Sequence, residues 1–174
     1  MLVILGNQLF PLRYLPPPDA APVFMAEDVG LCTYEQHHQQ KIVLFLAAMR
    51  AYADKLREAG YDVHYVELDT SDISAYEDKL AKVLEQCGSE KLVHFEIEDK
   101  AMEQRIIEFA DTGNLEREEL ASPMFTCSRE RFSKFAAGKR RLLVAEFYKQ
   151  QRRRRDILID VVGEAAGGRG WFDA

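Results

Sequence analysis

The chain has 174 residues and a formal net charge of −6, and 47% of its residues are hydrophobic. This length and composition are typical of one globular domain with a proper core and exclude an intrinsically disordered chain. The three cysteines, Cys32, Cys87 and Cys127, are far apart and form no CxxC pair, which argues against a disulfide framework and against a zinc or iron–sulfur site made by this chain.

The first predicted element is a short apolar strand over residues 2–5, in the centre of a sheet. Gly6 ends it, and Asn7 and Gln8 follow in a turn, where Gln8 offers both a donor and an acceptor. Asn7 either supplies turn geometry or contacts a ligand. The N-terminal apolar run lacks the basic flank of a signal peptide, and no apolar segment approaches the length of a membrane span. We therefore expect a cytoplasmic protein.

Residues 10–21 contain four prolines and predict a surface loop. The two flanking strands could be neighbours, or could have lost a helix between them. Residues 22–26 predict a buried strand that Glu27 and Asp28 end. A long amphipathic helix follows, which Gly60 ends. Its apolar face has the spacing of three and four residues and consists of Ile42, Phe45, Leu46, Met49, Tyr52, Ala53 and Leu56.

Tyr34, His37 and His38 lie where this helix is expected to begin. Ligands of open α/β sheets bind where the carboxyl ends of strands meet helix N-termini, so this junction is the candidate site. Adjacent histidines on a helix point about 100° apart and are not suited to chelate one metal ion. One of them, with Tyr34, could face the cleft while the other packs or faces solvent. Alternatively, the pair caps the helix or is satisfied at the surface.

The following segments alternate between strand and helix. Strands are predicted over residues 62–68 and 92–97, with an exposed edge strand over 115–120. Between them, Ser71 and Asp72 are expected to cap one helix that Gly88 ends, and a second helix covers residues 102–110. The strand over 92–97 delivers Glu96 and its acidic neighbours to the same edge as Asn7. This alternation predicts an α/β fold, a Rossmann-like doubly wound parallel sheet with helices on both faces, followed by C-terminal helices.

The last third is basic. Residues 1–138 hold 14 Lys/Arg and 24 Asp/Glu, a balance of −10, whereas residues 139–174 hold 9 and 5, a balance of +4. Helices are expected to open at Ser128 and to cover residues 142–155, where the run from Arg152 to Arg155 is a solvated helix end, a phosphate-binding face or a docking face for an acidic domain. The glycine-rich tail contains Trp171 and Phe172 and resembles a linker cut from something longer.

The sequence lacks GxGxxG after the first strand, GxxxxGK[ST], GxSxG and HExxH. A dinucleotide dehydrogenase, a P-loop enzyme, a serine hydrolase and a zinc protease are therefore unsupported. Acidic strand ends together with tyrosine and histidine favour recognition of a planar, hydrogen-bonding small molecule.

Five segments resemble the N-terminal domain of photolyase-related proteins, the prokaryotic (6-4) photolyase and cryptochrome branch that carries an iron–sulfur cluster. They are GNQLF (6–10), FMAEDVGLCTYEQHHQQK (24–41), FEIED (95–99), SPMF (122–125) and AEFYKQQRRRRDILID (145–160). They cover nearly the whole chain in the family's order.

This resemblance implies an α/β antenna domain over residues 1–160 and a linker over 161–174 toward a helical domain that would hold FAD and a 4Fe-4S cluster. The parent protein would be a lyase that repairs ultraviolet-damaged DNA, or a blue-light sensor, and this chain would hold no catalytic residue and no metal. Several members bind 6,7-dimethyl-8-ribityllumazine between the sheet edge and the long helix.

By match to the family, Tyr34 and His37 are candidate walls of the lumazine pocket. Weaker candidates for polar contacts are Glu27, Gln8, Lys41 and Glu96. Many members carry Asp at the position of Asn7, so one carboxylate contact is expected to be missing here.

Two other functions stay open. The chain could be a chromophore-free structural or interaction domain that supports the FAD domain, or a nucleotide-binding domain of the universal-stress type, although the glycine-rich phosphate loop is missing. In every case we expect no repair by this chain alone, and a homodimer could form through the surface that would meet the FAD domain.

Overall fold

A computed structural model describes residues 1–33, 35–72 and 74–159 of the chain. Five parallel strands form one sheet: β1 (Leu2–Val3), β2 (Val23–Ala26), β3 (Val63–Val66), β4 (Lys91–Phe95) and β5 (Glu116–Leu120). The helices are α1 (Val29–Thr33), α2 (Gln39–Glu58), α3 (Tyr76–Cys87), α4 (Lys100–Thr112), α5 (Arg129–Ala136) and α6 (Val144–Arg155). The predicted Rossmann-like parallel sheet is therefore confirmed.

The strand order is β3-β2-β1-β4-β5, with β1 in the centre. Leu2 of β1 is in register with Val23 of β2 on one side and with Val93 of β4 on the other. The chain builds the sheet outward from β1 in one direction and then returns to build it in the other. A crevice is expected at such a reversal, at the carboxyl ends of the strands.

Two apolar layers cover the two faces of the sheet. On one face, α3 and α4 pack through residues such as Leu80 and Ile106 against Val3 and Phe24. On the other face, α2 packs through Met49, Tyr52, Ala53 and Leu56. Helices on both faces were predicted from the alternating pattern, and this arrangement is confirmed.

The proline-rich segment takes the place of a helix between β1 and β2. Apart from one short 3₁₀ turn, Leu12–Tyr14, it is irregular, as predicted. Its backbone is tied to the α2 side of the sheet, because the Tyr52 hydroxyl donates to the Phe10 carbonyl at 2.6 Å and the Tyr61 hydroxyl donates to the Pro16 carbonyl at 2.8 Å. The flanking strands β1 and β2 are parallel neighbours, and this loop joins them without a longer helix.

Helix ends are only partly as expected. Gly60, with a φ of +89°, follows α2 in the left-handed conformation that glycine tolerates. The predicted cap of α3 is wrong: the helix begins at Tyr76, after Ala75, whose N–H donates to Asp78 Oδ2 at 3.1 Å. Asp72 instead accepts from the Ser74 N–H at 2.9 Å, a local turn that competes with capping.

The chain divides into two compact units, Met1–Met124 and a second that starts at Phe125. In the second unit, Ser128 caps α5, and the rings of Phe132 and Phe135 contact Phe147 with centroid distances of 5.3 and 5.1 Å. Arg152 is buried and donates to the carbonyls of Ile157 and Leu158. Of the three alternatives for the arginine run, a solvated helix end is therefore excluded for its first member, because this guanidinium is used inside the unit.

The expected linker over residues 161–174, with Trp171 and Phe172, lies outside the described residues. Within the described part of the chain, no helix combines the length and the apolar character needed to cross a membrane.

Candidate ligand-binding site

A cavity of about 460 Å³ lies at the carboxyl ends of β1, β2 and β4. Ligand pockets of proteins commonly measure about 300–1,000 Å³, so this one can hold a small organic molecule. It is bounded by α1, by the N-terminal half of α2 and by the first residues of α3 and α4. This is the position that the reversal of strand order predicts.

The N-terminal half of α2 forms an apolar wall of the cavity. Ile42, Phe45 and Leu46 line it, and Phe45 keeps 41% of its surface exposed. The buried part of the predicted apolar face starts at Met49, so the first turns of α2 face the cavity and not the core. The period of three to four residues identifies the apolar face of α2. It does not show that the first turns of this helix extend beyond the edge of the sheet.

Gly6 allows α2 to approach the end of β1 closely. A Cβ atom at this position would lie 2.7 Å from Met49 Sδ and 2.7 Å from Phe45 Cε1. Both distances are well below van der Waals contact, so a side chain here would push the helix or its side chains away. The glycine thus fixes the distance between the apolar wall and the sheet edge.

The opposite side of the cavity is formed by Tyr76 of α3 and by Met102 and Arg105 of α4. The Tyr76 ring packs edge-on against Phe24, with centroids 5.6 Å apart, and only 1% of the residue is exposed. Its hydroxyl has no hydrogen-bond partner among the described residues. Burial, and then the nearby carboxylates of Glu77 and Asp28, raise the pKa of Tyr76, so this phenol stays protonated at neutral pH.

A buried ion pair holds the α1 side of the cavity. Lys79 Nζ lies 2.9 Å from Asp28 Oδ2, and both side chains are almost completely buried. Asp28 Oδ1 accepts from the Leu31 N–H at 2.9 Å, and Lys79 also donates to the Glu27 carbonyl at 3.3 Å. Asp28 therefore starts α1, a short helix that was not predicted from the sequence.

Glu27 borders the cavity, but both oxygens of its carboxylate accept hydrogen bonds from other residues of the fold. Oε1 accepts from Arg50 Nε at 2.7 Å and from the Tyr65 hydroxyl at 2.5 Å. Oε2 accepts from Arg50 Nη2 at 2.8 Å and from the Leu68 N–H at 2.7 Å. Burial alone would raise the pKa of Glu27, but these hydrogen bonds favour the charged form more strongly and lower it.

Gln8 and Glu96 are not among the residues that line the cavity. Gln8 is fully buried, and its Nε2 donates to the Glu96 carbonyl at 2.9 Å. Glu96 Oε2 accepts from the Ser122 N–H at 3.1 Å. These two candidates join the turn after β1 to β4 and to the segment after β5.

Asn7, His37 and Lys41 do line the cavity. His37 Nδ1 lies 3.3 Å from Lys41 Nζ, one helical turn along α2. The neighbouring His38 caps α2 instead, since its Nδ1 accepts from the Gln40 N–H at 3.2 Å. The two histidines thus have different positions, one at the cavity and one at the helix cap. Tyr34 lies outside the described residues.

Tyr76 and Arg105 are cavity residues that the sequence did not single out. Tyr76 lies on the apolar face of its helix, where spacing predicts burial, although its phenol also has a polar end. Arg105 makes two hydrogen bonds to Glu77, at 2.6 and 2.7 Å, a pairing between two helices that local spacing does not reveal. Among the described residues, no group of three or more His, Cys, Asp or Glu side chains is arranged to hold a metal ion.

A family model described as deoxyribodipyrimidine photo-lyase-related protein matches residues 2–174. The chain belongs to this family. This photolyase-related chain is 27% identical to a (6-4) photolyase of Agrobacterium fabrum over 179 aligned positions, which cover 100% of the chain and 35% of that protein. It thus spans about a third of that relative's length.

A second relative is the uncharacterized protein R852 of Acanthamoeba polyphaga mimivirus. It is 29% identical over 168 positions, which cover 91% of the photolyase-related chain and 84% of the viral protein. The family resemblance predicted from the five sequence segments is confirmed.

Proposed function

We propose that this chain is an antenna domain, a light-harvesting chromophore-binding domain of a photolyase-related protein, and that its cavity binds 6,7-dimethyl-8-ribityllumazine. The observation that carries the proposal is the cavity of about 460 Å³ at the point where the strand order reverses. The family assignment adds support, because it relates the chain to a (6-4) photolyase.

The cavity has the chemistry that a planar heteroaromatic molecule needs. Apolar side chains of α2 offer a surface for one face of a ring, and Tyr76 and Met102 line the opposite side. His37, just before α2, and Lys41, in its first turn, add polar groups that can orient the edge of a ring or a polyhydroxyl chain. A bound lumazine would contribute absorption of near-ultraviolet light and transfer of the excitation to a flavin.

The residues of the chain would then bind, orient and shield the chromophore. Phe45 and Ile42 exclude water from one ring face, and Gly6 keeps this wall close to the sheet edge. Glu27 does not contact the ligand in this proposal, because all its hydrogen bonds are made within the fold. It instead holds α2, and therefore the apolar wall, against β3.

The test is a titration of the purified chain with lumazine, followed by near-ultraviolet absorption and by thermal unfolding. Saturable binding at one site is expected to stabilise the fold by about 2.7 kcal/mol when the free lumazine concentration is a hundred times the Kd. FAD and ATP serve as controls and are expected to give no such stabilisation. A folded chain that lumazine neither stabilises nor changes in absorption would refute the proposal, and stabilisation by ATP would favour the universal-stress type of domain.

Repair itself is assigned to the longer protein. We expect a separate helical domain to hold FAD and a 4Fe-4S cluster and to bind damaged DNA, and we expect the chain described here to be inactive alone. Illumination of the isolated chain with ultraviolet-damaged duplex DNA tests this, and any light-dependent loss of lesions without another protein would contradict it.

The second candidate is a chromophore-free domain that supports the FAD domain. It is favoured by the apolar side chains exposed on the second compact unit, where Val144 is 82% exposed and Phe125 60%. The same side chains could join two copies of the chain into a homodimer. Analytical ultracentrifugation of the chain with and without lumazine distinguishes a support domain from an antenna domain. A support domain would associate through this surface and would not bind lumazine.

A further inference from the structure

β5 is an edge strand with few apolar side chains to hold it in place. Four of its five residues are exposed, and Leu120 is partly buried. The strand next to it is different, because Leu92, Val93 and Phe95 of β4 are buried. β5 therefore covers the edge of an apolar strand, and its attachment depends on the backbone ladder and on polar contacts between side chains.

Polar side chains of the two strands contact each other with different exposure to water. Lys91 Nζ lies 2.8 Å from Glu116 Oε1 and 2.8 Å from Glu118 Oε2, but all three side chains are substantially exposed, so water screens these ion pairs. His94 of β4 is only 1% exposed, and its Nε2 lies 3.2 Å from Arg117 Nη1. The contact between His94 and Arg117 is thus better protected from solvent.

The hydrogen bonds of His94 define where its proton lies. Nδ1 is 2.8 Å from the Phe95 carbonyl oxygen, which can only accept, so Nδ1 carries the proton. A guanidinium can only donate, so Nε2 is the unprotonated nitrogen that accepts from Arg117. A neutral imidazole satisfies both contacts. A doubly protonated imidazole does not, because its Nε2–H would face an N–H of Arg117.

The charged groups around the imidazole belong to β5 and α4, whereas β1, on the other side of β4, is apolar. On β5, Glu119 is in register with His94, and its Oε2 is 3.4 Å from Arg117 Nη1. On α4 the charged group is Glu103. Burial lowers the pKa of His94 most strongly and Arg117 lowers it further, while the Phe95 carbonyl and the two glutamates raise it without offsetting the burial.

Protons reach His94 when the strand that covers it opens. Edge strands with few buried apolar contacts open locally more often than the core does, and each opening admits water. In the opened form the imidazole is solvated and away from Arg117, so it binds a proton at a higher pH than it does in the closed form. The contact is therefore complete above the ordinary pKa of histidine, about 6.5, and acid shifts the equilibrium toward the opened form.

We propose that His94 is a proton-sensitive switch of the edge strand: the neutral imidazole holds Arg117 and with it β5, and the protonated imidazole releases Arg117, so that β5 separates from β4 more often. Glu119 is the group on β5 that is placed to pair with the imidazolium. The surface that acid uncovers is the apolar edge of β4, which can pair with a strand of another chain. This switch does not depend on the proposed chromophore, and its test needs no ligand.

Hydrogen–deuterium exchange followed by NMR measures the opening of each strand between about pH 7.5 and about pH 5. In the original protein, the protection factors of the β5 amides are expected to fall about tenfold over this range, the change that one unit of pKa difference produces. The β3 amides are the control in the same sample, because β3 is the other edge strand and contains the partly exposed His64. Their protection factors should change by less than about twofold.

Two variants connect this fall to the imidazole and to the guanidinium. His94→Gln has no group that titrates in this range, so the fall should disappear. Arg117→Gln keeps the histidine but removes the cation that faces it, so the fall should become smaller. Arg57→Gln, at an exposed ion pair of α2, is the matched control and should retain the full fall.

Three results would overturn the inference. The first is an original protein whose β5 protection does not change with pH, and the second is a His94→Gln protein that shows the same fall as the original. The third is a fall in Arg117→Gln as large as in Arg57→Gln. Nitrogen NMR of the imidazole adds a test without a variant: at about pH 7.5 the proton of His94 is expected on Nδ1. A proton on Nε2 would mean that His94 does not accept from Arg117 and would equally refute the switch.

Discussion

Glu27→Gln should destabilise the protein more than any substitution of an exposed charge. The Glu27 carboxylate joins three parts of the fold: Arg50 on α2, Tyr65 on β3 and the Leu68 N–H after β3. A glutamine keeps one oxygen and replaces the other by an amide group that faces a donor. At least one hydrogen bond is then lost and one donor loses its partner.

The magnitude follows from burial and charge. The Glu27 side chain is 0% exposed, whereas Arg50 keeps 49% of its side chain exposed, so water partly screens the ion pair. Hydrogen bonds to a charged group contribute about 1.5–3 kcal/mol each, and breaking a buried pair costs about 3–5 kcal/mol. After a discount for the exposed arginine, we expect the free energy of unfolding to fall by about 2–4 kcal/mol.

The assay is urea unfolding followed by circular dichroism, with Asp54→Asn as the matched control. Asp54 and Arg57 form an ion pair of 2.9 Å on α2, with 69% and 46% of their side chains exposed. The control makes the same change of charge at the surface and should cost less than about 0.5 kcal/mol. A Glu27→Gln protein within about 0.5 kcal/mol of the original would refute the argument that this carboxylate holds α2 to the sheet.

Three further predictions concern the same region. The difference in stability between the original protein and Glu27→Gln should be full above pH about 4.3, where the unfolded carboxyl ionises, and should shrink as the pH falls through the lower pKa of folded Glu27. A difference that grows as the pH is lowered in urea titrations would contradict this. Gly6→Ala should cost about 1–3 kcal/mol by overpacking against Met49 and Phe45 and should weaken lumazine binding in the same samples, and unchanged stability would show that α2 can shift freely. Lys79→Met should cost about 3–5 kcal/mol because it leaves the Asp28 carboxylate buried without its cation, whereas an effect below about 1 kcal/mol in calorimetry would mean that water reaches that carboxylate.

The order of elements could be predicted from the sequence because each element carries a local signal. β2 is a short continuous apolar run, and α2 shows a period of three to four residues. Gly60 marks a helix end, and the charges of β5 mark an edge strand. The central position of β1 followed from its apolar, β-branched composition. These features depend on neighbours along the chain, and the structure confirms them.

The candidate site was predicted only in its position. The sequence indicated the junction of β2 and α2, and His37 and Lys41 do line a cavity there. The sequence could not show that the Glu27 carboxylate is hydrogen-bonded to Arg50, 23 positions away, or that Asp28 is paired with Lys79, 51 positions away. A carboxylate at a strand end has the same local pattern whether it meets a ligand or a distant cation.

Tyr76 illustrates a different limit. A tyrosine on an apolar helix face predicts burial, and the residue is buried as expected. Whether its hydroxyl finds a partner depends on the packing of Phe24 and on what surrounds the phenol in three dimensions. The feature that makes this residue interesting is the lack of a contact among the described residues, which no spacing rule reports.

The central position of β1 also has a consequence for synthesis on the ribosome. β1 is the strand that joins the β2–β3 side of the sheet to the β4–β5 side, yet Leu2 pairs with Val93, 91 positions later in the chain. At about 5–20 residues per second, that edge of β1 waits roughly 5–18 s for its partner. During this interval a nascent α2 can cover one face of β1 and β2, but an apolar strand edge stays open to other chains. The yield of folded protein should therefore depend on translation rate and on chaperones more than its stability alone suggests.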